Sequence, residues 1–497
     1  MNDTLNTRKP IDMLGWALLV ASPFLLLAIV SLALRANAFA AYPCWSDELE
    51  CWRGVRSWLA VGMNAGYSGL AESIPRFGAL GLSGFTPVLL YGGFGALFGW
   101  SANGVVICNA LWIAAGALTL CLLCKPRALA SLLLSLSLMA YLPIVLYCTT
   151  SMAELAQYGL LLFYIAFLLR YARTRGVPSL VLCVVTTLLC CAVRVSYCVL
   201  FLPLTLVACD YRFSGKAALC ALAALLASAG VFAVATLYAS PNTSGFLFHF
   251  LREGDVGLAL KMLASHAKSN LRDLLDLNLV GTAQLAQRAL YLLMMLGCLI
   301  GSFVRGKAAD KPRRRLNGEL FVCFLALFVP LLISIALFET NDWNDYRTLA
   351  PFLWGVSAVL LLRSRKHLPA LFLIGCAVML GLFLIVGEPS TAFTDASRFV
   401  APTESADTRA LCEAIEYDEN ADEPFGNSVR IDLYNWQTIS QLDAGLGLQS
   451  GWFTEDNVGH SRWILTDRLK VALQGYELIL SNADGSVYRL LSATATD

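Results

Sequence analysis

The chain has 497 residues, of which 58% are hydrophobic and only 14% charged, for a net charge of +1. That is more apolar side chain than a soluble core buries, so the composition reads as a polytopic membrane protein. Lys and Arg gather between the apolar runs while about half of all Asp and Glu lie after Gly387, a pattern that reports topology and gives nucleic acid no footing as a partner.

The first apolar run, 13–34, has full transmembrane length and no small-residue cleavage site, so it is expected to remain as an anchor. Further spans are predicted at 102–123, 129–148, 158–169, 180–193, 198–209, 217–239, 283–304, 320–338, 349–362 and 368–386, eleven crossings in all. With that count the basic clusters Arg8/Lys9, Lys125/Arg127, Arg170/Arg173/Arg175, Arg212/Lys216, 305–315 and Arg363/Arg365/Lys366 share one side. The positive-inside rule makes that side cytoplasmic, the N-terminus with it, and leaves the C-terminus outside. The segment 85–100 is apolar as well, but counting it as a crossing would put the later basic loops outside, so it reads as a re-entrant or interfacial helix.

Four loops then face outward. The first, 35–100, carries Asp47, Glu48 and Glu72; the second, 149–157, carries Glu154. The third, 240–279, reads as an amphipathic helix whose His249, His266 and Lys268 suit a solvated surface. The fourth, 339–348, is the polar run Asn341-Asp342-Trp343-Asn344-Asp345-Tyr346-Arg347. Beyond Val386 the composition becomes that of a small soluble α/β domain, 388–497, set apart from the membrane domain 1–387. Helices are predicted there at 406–417 and 437–446 and strands at 428–433 and 463–466. A hairpin of 476–481 with 486–491 turns at Asn482-Ala483-Asp484-Gly485, where the Asp-Gly step suits a positive φ.

Among residues able to carry chemistry, Asp47 and Glu48 stand first. Adjacent outer-face carboxylates can hold a cation or deprotonate a hydroxyl, and equally can favour the start of a helix capped by Ser46. Cys44 and Cys51 flank them where a disulfide could persist, the alternative being two free thiols. Cysteines inside apolar runs, including the Cys121-Leu-Leu-Cys124 pair, read as core residues. Arg194 interrupts two apolar runs and needs an anionic partner, either a phosphate or a carboxylate such as Glu154. Arg347 with Tyr346 is a second candidate for phosphate contact, or else an interfacial anchor. The chain shows neither a Walker-type nor a dinucleotide glycine pattern.

The order of these features resembles the GT-C superfamily of membrane glycosyltransferases that use polyprenyl-phosphate sugars, among them protein mannosyltransferases and lipid A aminoarabinose transferases. The likeness lies in Asp47-Glu48, then Gly66-Tyr67, then Gly84-Phe85-Thr86-Pro87-Val88-Leu89-Leu90-Tyr91, then Phe98-Gly99-Trp100, with Tyr346-Arg347 and Pro351 later. Phe85-Thr86-Pro87 departs from the family's His-Pro-Pro, and Tyr precedes Arg at 346–347. The resemblance implies an about eleven-helix GT-C-like membrane protein of the plasma membrane with an extracytoplasmic C-terminal domain. Its activity would be inverting sugar transfer from a polyprenyl-phosphate donor to a surface glycan, lipid or protein. Asp47 would be the general base and Glu48 its catalytic neighbour. Glu72, Glu154, Arg194, Asp342, Asp345, Tyr346 and Arg347 would line the substrate site. No cofactor is required, although a divalent ion at Asp47 and Glu48 is compatible. The rivals are a transporter or flippase of polyprenyl-linked glycans, which would be expected to show paired repeats, and a surface-polysaccharide polymerase or ligase.

Overall fold

The computed structural model of the chain describes residues 10–62, 67–70, 85–210, 215–236, 254–275, 281–303, 311–337, 347–363, 367–386, 396–403, 405–420, 424–433, 435–450, 461–467 and 473–491. Most of the helices are built from runs of Leu, Ala, Val and Phe, as expected where only an internally hydrogen-bonded backbone is stable in lipid. These are α1 (Pro10–Leu34), α2 (Ser46–Val61), α3 (Gly93–Phe98, entered through a π-helical turn Val88–Gly92), α4 (Gly104–Cys124), α5 (Ala128–Ala140), α6 (Leu142–Tyr147), α7 (Glu154–Thr174), α8 (Val177–Val193), α9 (Phe201–Ala208, after a 3-10 turn Val195–Leu200) and α10 (Gly215–Thr236). There follow α11 (Val256–Leu275), α12 (Thr282–Phe303), α13 (Lys311–Leu337), α14 (Ala350–Leu362) and α15 (His367–Val386).

Among the described residues, six helical segments are long and apolar enough to cross a membrane: α1, α4, α7, α12, residues 318–336 of α13, and α15. The chain is an integral, multi-pass membrane protein. Other apolar helices are shorter, including α5, α8 and α14 at 13 to 17 residues. Thirteen residues rise only about 20 Å, against a hydrocarbon core of about 30 Å. Two glycines set the tightest approach. A Cβ on Gly116 would lie 2.5 Å from Gly159 O, and one on Gly159 would lie 2.6 Å from the Trp112 backbone, so α4 and α7 meet backbone to backbone as small residues permit.

The expectation for 85–100 agrees with its geometry. The apolar stretch Val88–Phe98 is only 11 residues long, about 16 Å of helix, too short to cross. It lies against α2: the place of a Gly92 Cβ is 2.8 Å from the Trp58 ring and that of Gly95 is 2.7 Å from Leu59. Trp52 Nε1 donates to Ser101 O at 2.9 Å and Trp100 Nε1 to Trp52 O at 3.0 Å, which clasps the two ends together. Thr86 Oγ1 donates to Ala192 O at 2.6 Å, tying the hairpin to the end of α8.

The C-terminal region forms α16 (Ala406–Glu413), β2 (Ser428–Ile431), α17 (Trp436–Gln441), β3 (Gly447–Ser450), β4 (Trp463–Thr466), β5 (Tyr476–Ser481) and β6 (Ser486–Leu490). A strand from the first loop, β1 (Tyr67–Leu70), completes a six-stranded sheet of order β1-β3-β2-β4-β6-β5. The four strands β1, β3, β2 and β4 run parallel and the last two antiparallel. The predicted helix 437–446 ends early at Gln441. Asp443 Oδ1 accepts from Gly445 N at 2.7 Å in an Asx turn, and the residues beyond enter β3, which the sequence reading missed. The hairpin forms with Ser481 opposite Ser486. Its Gly485 does not adopt a positive φ; a side chain is excluded there because a Cβ would meet Thr466 O at 2.2 Å.

Loop 35–100 is not separate from this domain. Leu49 and Trp52 of α2 share a buried core with Leu411, Val429, Ile439, Leu448 and Val487. Arg53 donates to the carbonyls of Ile439, Leu442, Asp443 and Leu446 at 2.5–3.3 Å, at and just beyond the C-terminal end of α17. Arg56 and Ser57 add bonds to Ser440 O and Ala444 O at 2.7 and 2.6 Å.

Candidate active site

The polar cluster lies where α2, the start of α7, the end of α8 and the start of α14 converge beneath the C-terminal domain. Helix α2 begins at Ser46 with both acids in its first turn, where the helix dipole favours them. Asp47 points outward and Oδ2 accepts from Arg347 Nη1 at 2.9 Å, with the two side chains 44% and 27% exposed. The next residue, Thr348, receives Arg194 Nη1 at 2.8 Å, and Arg194 Nη2 reaches Glu154 Oε1 at 3.2 Å. Two carboxylates and two guanidiniums, drawn from four distant stretches of sequence, thus form one line: Asp47, Arg347, Thr348, Arg194, Glu154.

Each is placed by local structure. Arg194 is the extended residue, φ −150 and ψ 130, at which α8 stops and the 3-10 turn begins, so its guanidinium leaves the helix axis. Glu154 opens α7 and is buried. Three residues on, Gln157 Oε1 accepts from the Tyr197 hydroxyl at 2.6 Å. The start of α14 is held by the Tyr141 hydroxyl, which donates to Ala350 O at 3.2 Å and accepts from Gln287 Nε2 at 2.8 Å.

Glu48 stands elsewhere. It is fully buried, its Oε2 accepting from Cys44 N and Trp45 N at 2.8 and 3.0 Å and its Oε1 from Ser151 N and Arg398 Nη1 at 2.7 and 2.6 Å. The bond from Trp45 N is the reach-back of a capping box. With both oxygens engaged, Glu48 does not share the face on which Asp47 meets Arg347, contrary to the expectation that the two acids would act side by side. The donor set likewise does not fit a metal ion shared by Asp47 and Glu48, since a ligand oxygen would have to give up an N–H or the Arg398 guanidinium. Among the described residues no group of three or more His, Cys, Asp or Glu gathers in a metal-binding arrangement.

Cys44 and Cys51 are both free thiols. Burial pushes the Cys51 thiol well up, and the surrounding carboxylates of Glu154, Glu48, Asp47 and Glu50 add to it, so Cys51 stays protonated and inert. Glu72, Asp342, Asp345, Tyr346 and His249 lie outside the described residues. The sequence reading missed two residues: Thr348, next to a residue already singled out, which joins the cluster, and Arg398, an isolated arginine that no local pattern marks, which holds Glu48 apart from it.

Below the cluster runs an apolar cleft bordered by α7, α9, α13 and α14. It begins at Leu161 and Phe352, two turns past Glu154 and one past Thr348, and reaches Glu319 and Arg363 at the other end of the bundle. From Phe352 to Arg363 is about 16 Å of helix, roughly half the hydrocarbon core.

Fold and cluster together define a multi-pass helical membrane protein with a charged site at one end of its bundle, roofed by a small α/β domain. Three solved structures follow a similar path. ArnT from Cupriavidus metallidurans in the apo state is 12% identical, with 94% of this chain and 97% of that one covered at a TM-score of 0.41. The same protein bound to undecaprenyl phosphate is 12% identical over 96% and 99%, at 0.37. An oligosaccharyltransferase from Archaeoglobus fulgidus in the apo form is 11% identical over 94% of this chain and 70% of that one, at 0.47. No protein-family model matches the sequence, and no curated protein matches it significantly.

Proposed function

We propose that the protein is a membrane glycosyltransferase that moves a sugar from a polyprenyl-phosphate donor to a hydroxyl-bearing acceptor at the extracytoplasmic face. The observation that carries this reading is the Asp47–Arg347 pair at 2.9 Å, set beside Arg194 and above an apolar cleft. A lipid phosphate brings two needs, cations for its head and a dry groove for its tail, and the two lie end to end here. An acceptor hydroxyl brings a third, a carboxylate base, which Asp47 supplies.

In the proposed reaction Asp47 takes the proton of the acceptor hydroxyl as that oxygen bonds to the anomeric carbon. The bond from that carbon to the phosphate oxygen breaks, and a single displacement of this kind inverts the centre. Negative charge grows on the departing lipid phosphate, and Arg347 and Arg194 stabilise it. Arg347 thereby changes partner, from Asp47 in the structure described here to the donor phosphate, which leaves the base free when the donor has arrived. No step passes through a metal.

The test is incubation of the purified protein in lipid nanodiscs with a panel of radiolabelled polyprenyl-phosphate sugars and extracted surface acceptors. Consumption of one donor with release of the lipid phosphate is expected. Binding of polyprenyl phosphate without consumption of any donor would overturn the reading in favour of a carrier of such lipids.

A further inference from the structure

Arg398 belongs to the 3-10 turn Ala396–Phe399, at the start of the C-terminal domain, beyond the last apolar helix. Its side chain is fully buried, as is that of Glu48, 350 residues earlier, to which Nη1 donates at 2.6 Å. The same nitrogen donates to Thr149 O at 3.2 Å, and the guanidinium lies 5.7 Å from the centre of the Trp45 ring. Its own backbone carbonyl accepts from Tyr42 N at 2.8 Å. Backbone and side chain of one residue therefore grip both flanks of the segment 42–48, whose last turn presents Asp47.

A buried ion pair is an inefficient source of stability, because dehydrating both charges cancels most of their attraction. What it adds is a single permitted geometry: four donors orient Glu48, and α2 cannot slide or roll without stranding a charge. The Nε and Nη2 of Arg398 meet no protein acceptor among the described residues, so Glu48 and the Thr149 carbonyl alone orient the guanidinium by hydrogen bonds. Asp47, one residue along the same helical turn, moves with Glu48.

We infer that Arg398 is a positioning residue: by holding Glu48 it fixes the carboxylate of Asp47, so that the C-terminal domain sets the alignment of the base. This rests on the transfer reaction proposed above. The arrangement makes the domain part of the catalytic apparatus without touching substrate.

Two readouts on the full-length protein in nanodiscs test it. One is the alkylation rate of Cys51, on the buried side of α2, located by peptide mass spectrometry; it needs no substrate. The other is kcat and donor KM per folded molecule, with the polyprenyl-phosphate sugar that the wild type consumes. Arg398→Gln should speed Cys51 alkylation by about 10-fold or more and lower kcat by about 10- to 100-fold, the cost of misplacing a catalytic group by about 1 Å. The donor KM should stay within about twofold, since Arg347 and Arg194 are untouched. Arg398→Lys keeps the charge and the fold, and should lower kcat by about 10-fold with KM unchanged; it carries the test should the glutamine variant fail to fold. Unchanged kcat in the folded variants, whatever happens at Cys51, would show a purely structural role and overturn the inference. A wild type that consumes no donor would instead condemn the transfer reading, and the inference with it.

Discussion

Substitution of Asp47 by Asn separates two roles of one carboxylate, the base of the proposed reaction and the partner that Arg347 has in the structure. As the base, Asp47 should be worth about 100-fold or more in turnover, or about 2.7 kcal/mol of barrier. As the partner of Arg347, it competes with the donor phosphate for the same guanidinium. The two side chains are 44% and 27% exposed, which places the pair in the range of solvent-screened ion pairs, about 0.2–1 kcal/mol. Releasing Arg347 should therefore tighten polyprenyl-phosphate binding by up to about fivefold. Asp47→Asn is thus expected to bind the lipid phosphate somewhat better while turning over far worse. Binding is measured by titration with short-chain polyprenyl phosphate in nanodiscs, and turnover by release of that lipid from the labelled donor. Wild-type turnover in Asp47→Asn would show that the carboxylate is only a helix-start acid. A parallel fall in affinity would show that the pair builds the phosphate site and does not mask it.

Arg194→Ala strands the buried Glu154 carboxylate and should cost about 2–3 kcal/mol, below the range of a wholly buried pair because Arg194 is partly exposed. Adding Glu154→Gln should recover most of that stability in thermal unfolding while donor affinity stays low. Gly159→Val would press a side chain into the Trp112 backbone of α4, and overpacking of this kind costs about 1–3 kcal/mol or more; a variant with unaltered thermal stability would mean that the two helices can separate freely. Hydrogen bonds from Ser405 and Thr408 hold the exposed Asp484 carboxyl below its usual range. A depressed carboxyl adds stability above the unfolded value of about 3.9 and loses it as pH falls through the lower folded one. The clamp between the hairpin turn and α16 should therefore loosen on acidification below about pH 4. Hydrogen exchange of the α16 amides should show it, and Asp484→Asn should abolish the dependence.

Much of the helical bundle was legible because apolar length acts locally. The hairpin at Tyr476–Ser481 and Ser486–Leu490 was legible for the same reason, although its glycine serves a close approach to Thr466 and no positive φ. Asp47 and Arg347 could each be singled out, and so could the alternative of Arg194 with Glu154, which the structure places at 3.2 Å. Their assembly into one line could not be read, since it depends on how four helices cross. Glu48 was misread because an acidic pair looks alike whether its second member faces solvent or a buried arginine 350 residues away. Strands β1 and β3 were invisible for a similar reason: each has four residues and gains its stability from parallel neighbours far along the chain.

The distance between Arg53 and the carbonyls it holds, 386 residues at Ile439, bears on how the protein is made. Nearly all the apolar helices lie between the two partners, and must enter the bilayer while the first loop waits without its sheet, its core partners or Arg398. Contacts that close so late carry a heavy loop-closure cost and slow the final step of folding. A chain truncated before Arg398 would sit in the membrane with Glu48 lacking its buried partner and the first turn of α2 unheld. In the proposed reaction, Asp47 would therefore be aligned only after the apolar helices have entered the bilayer and Arg398 has reached Glu48.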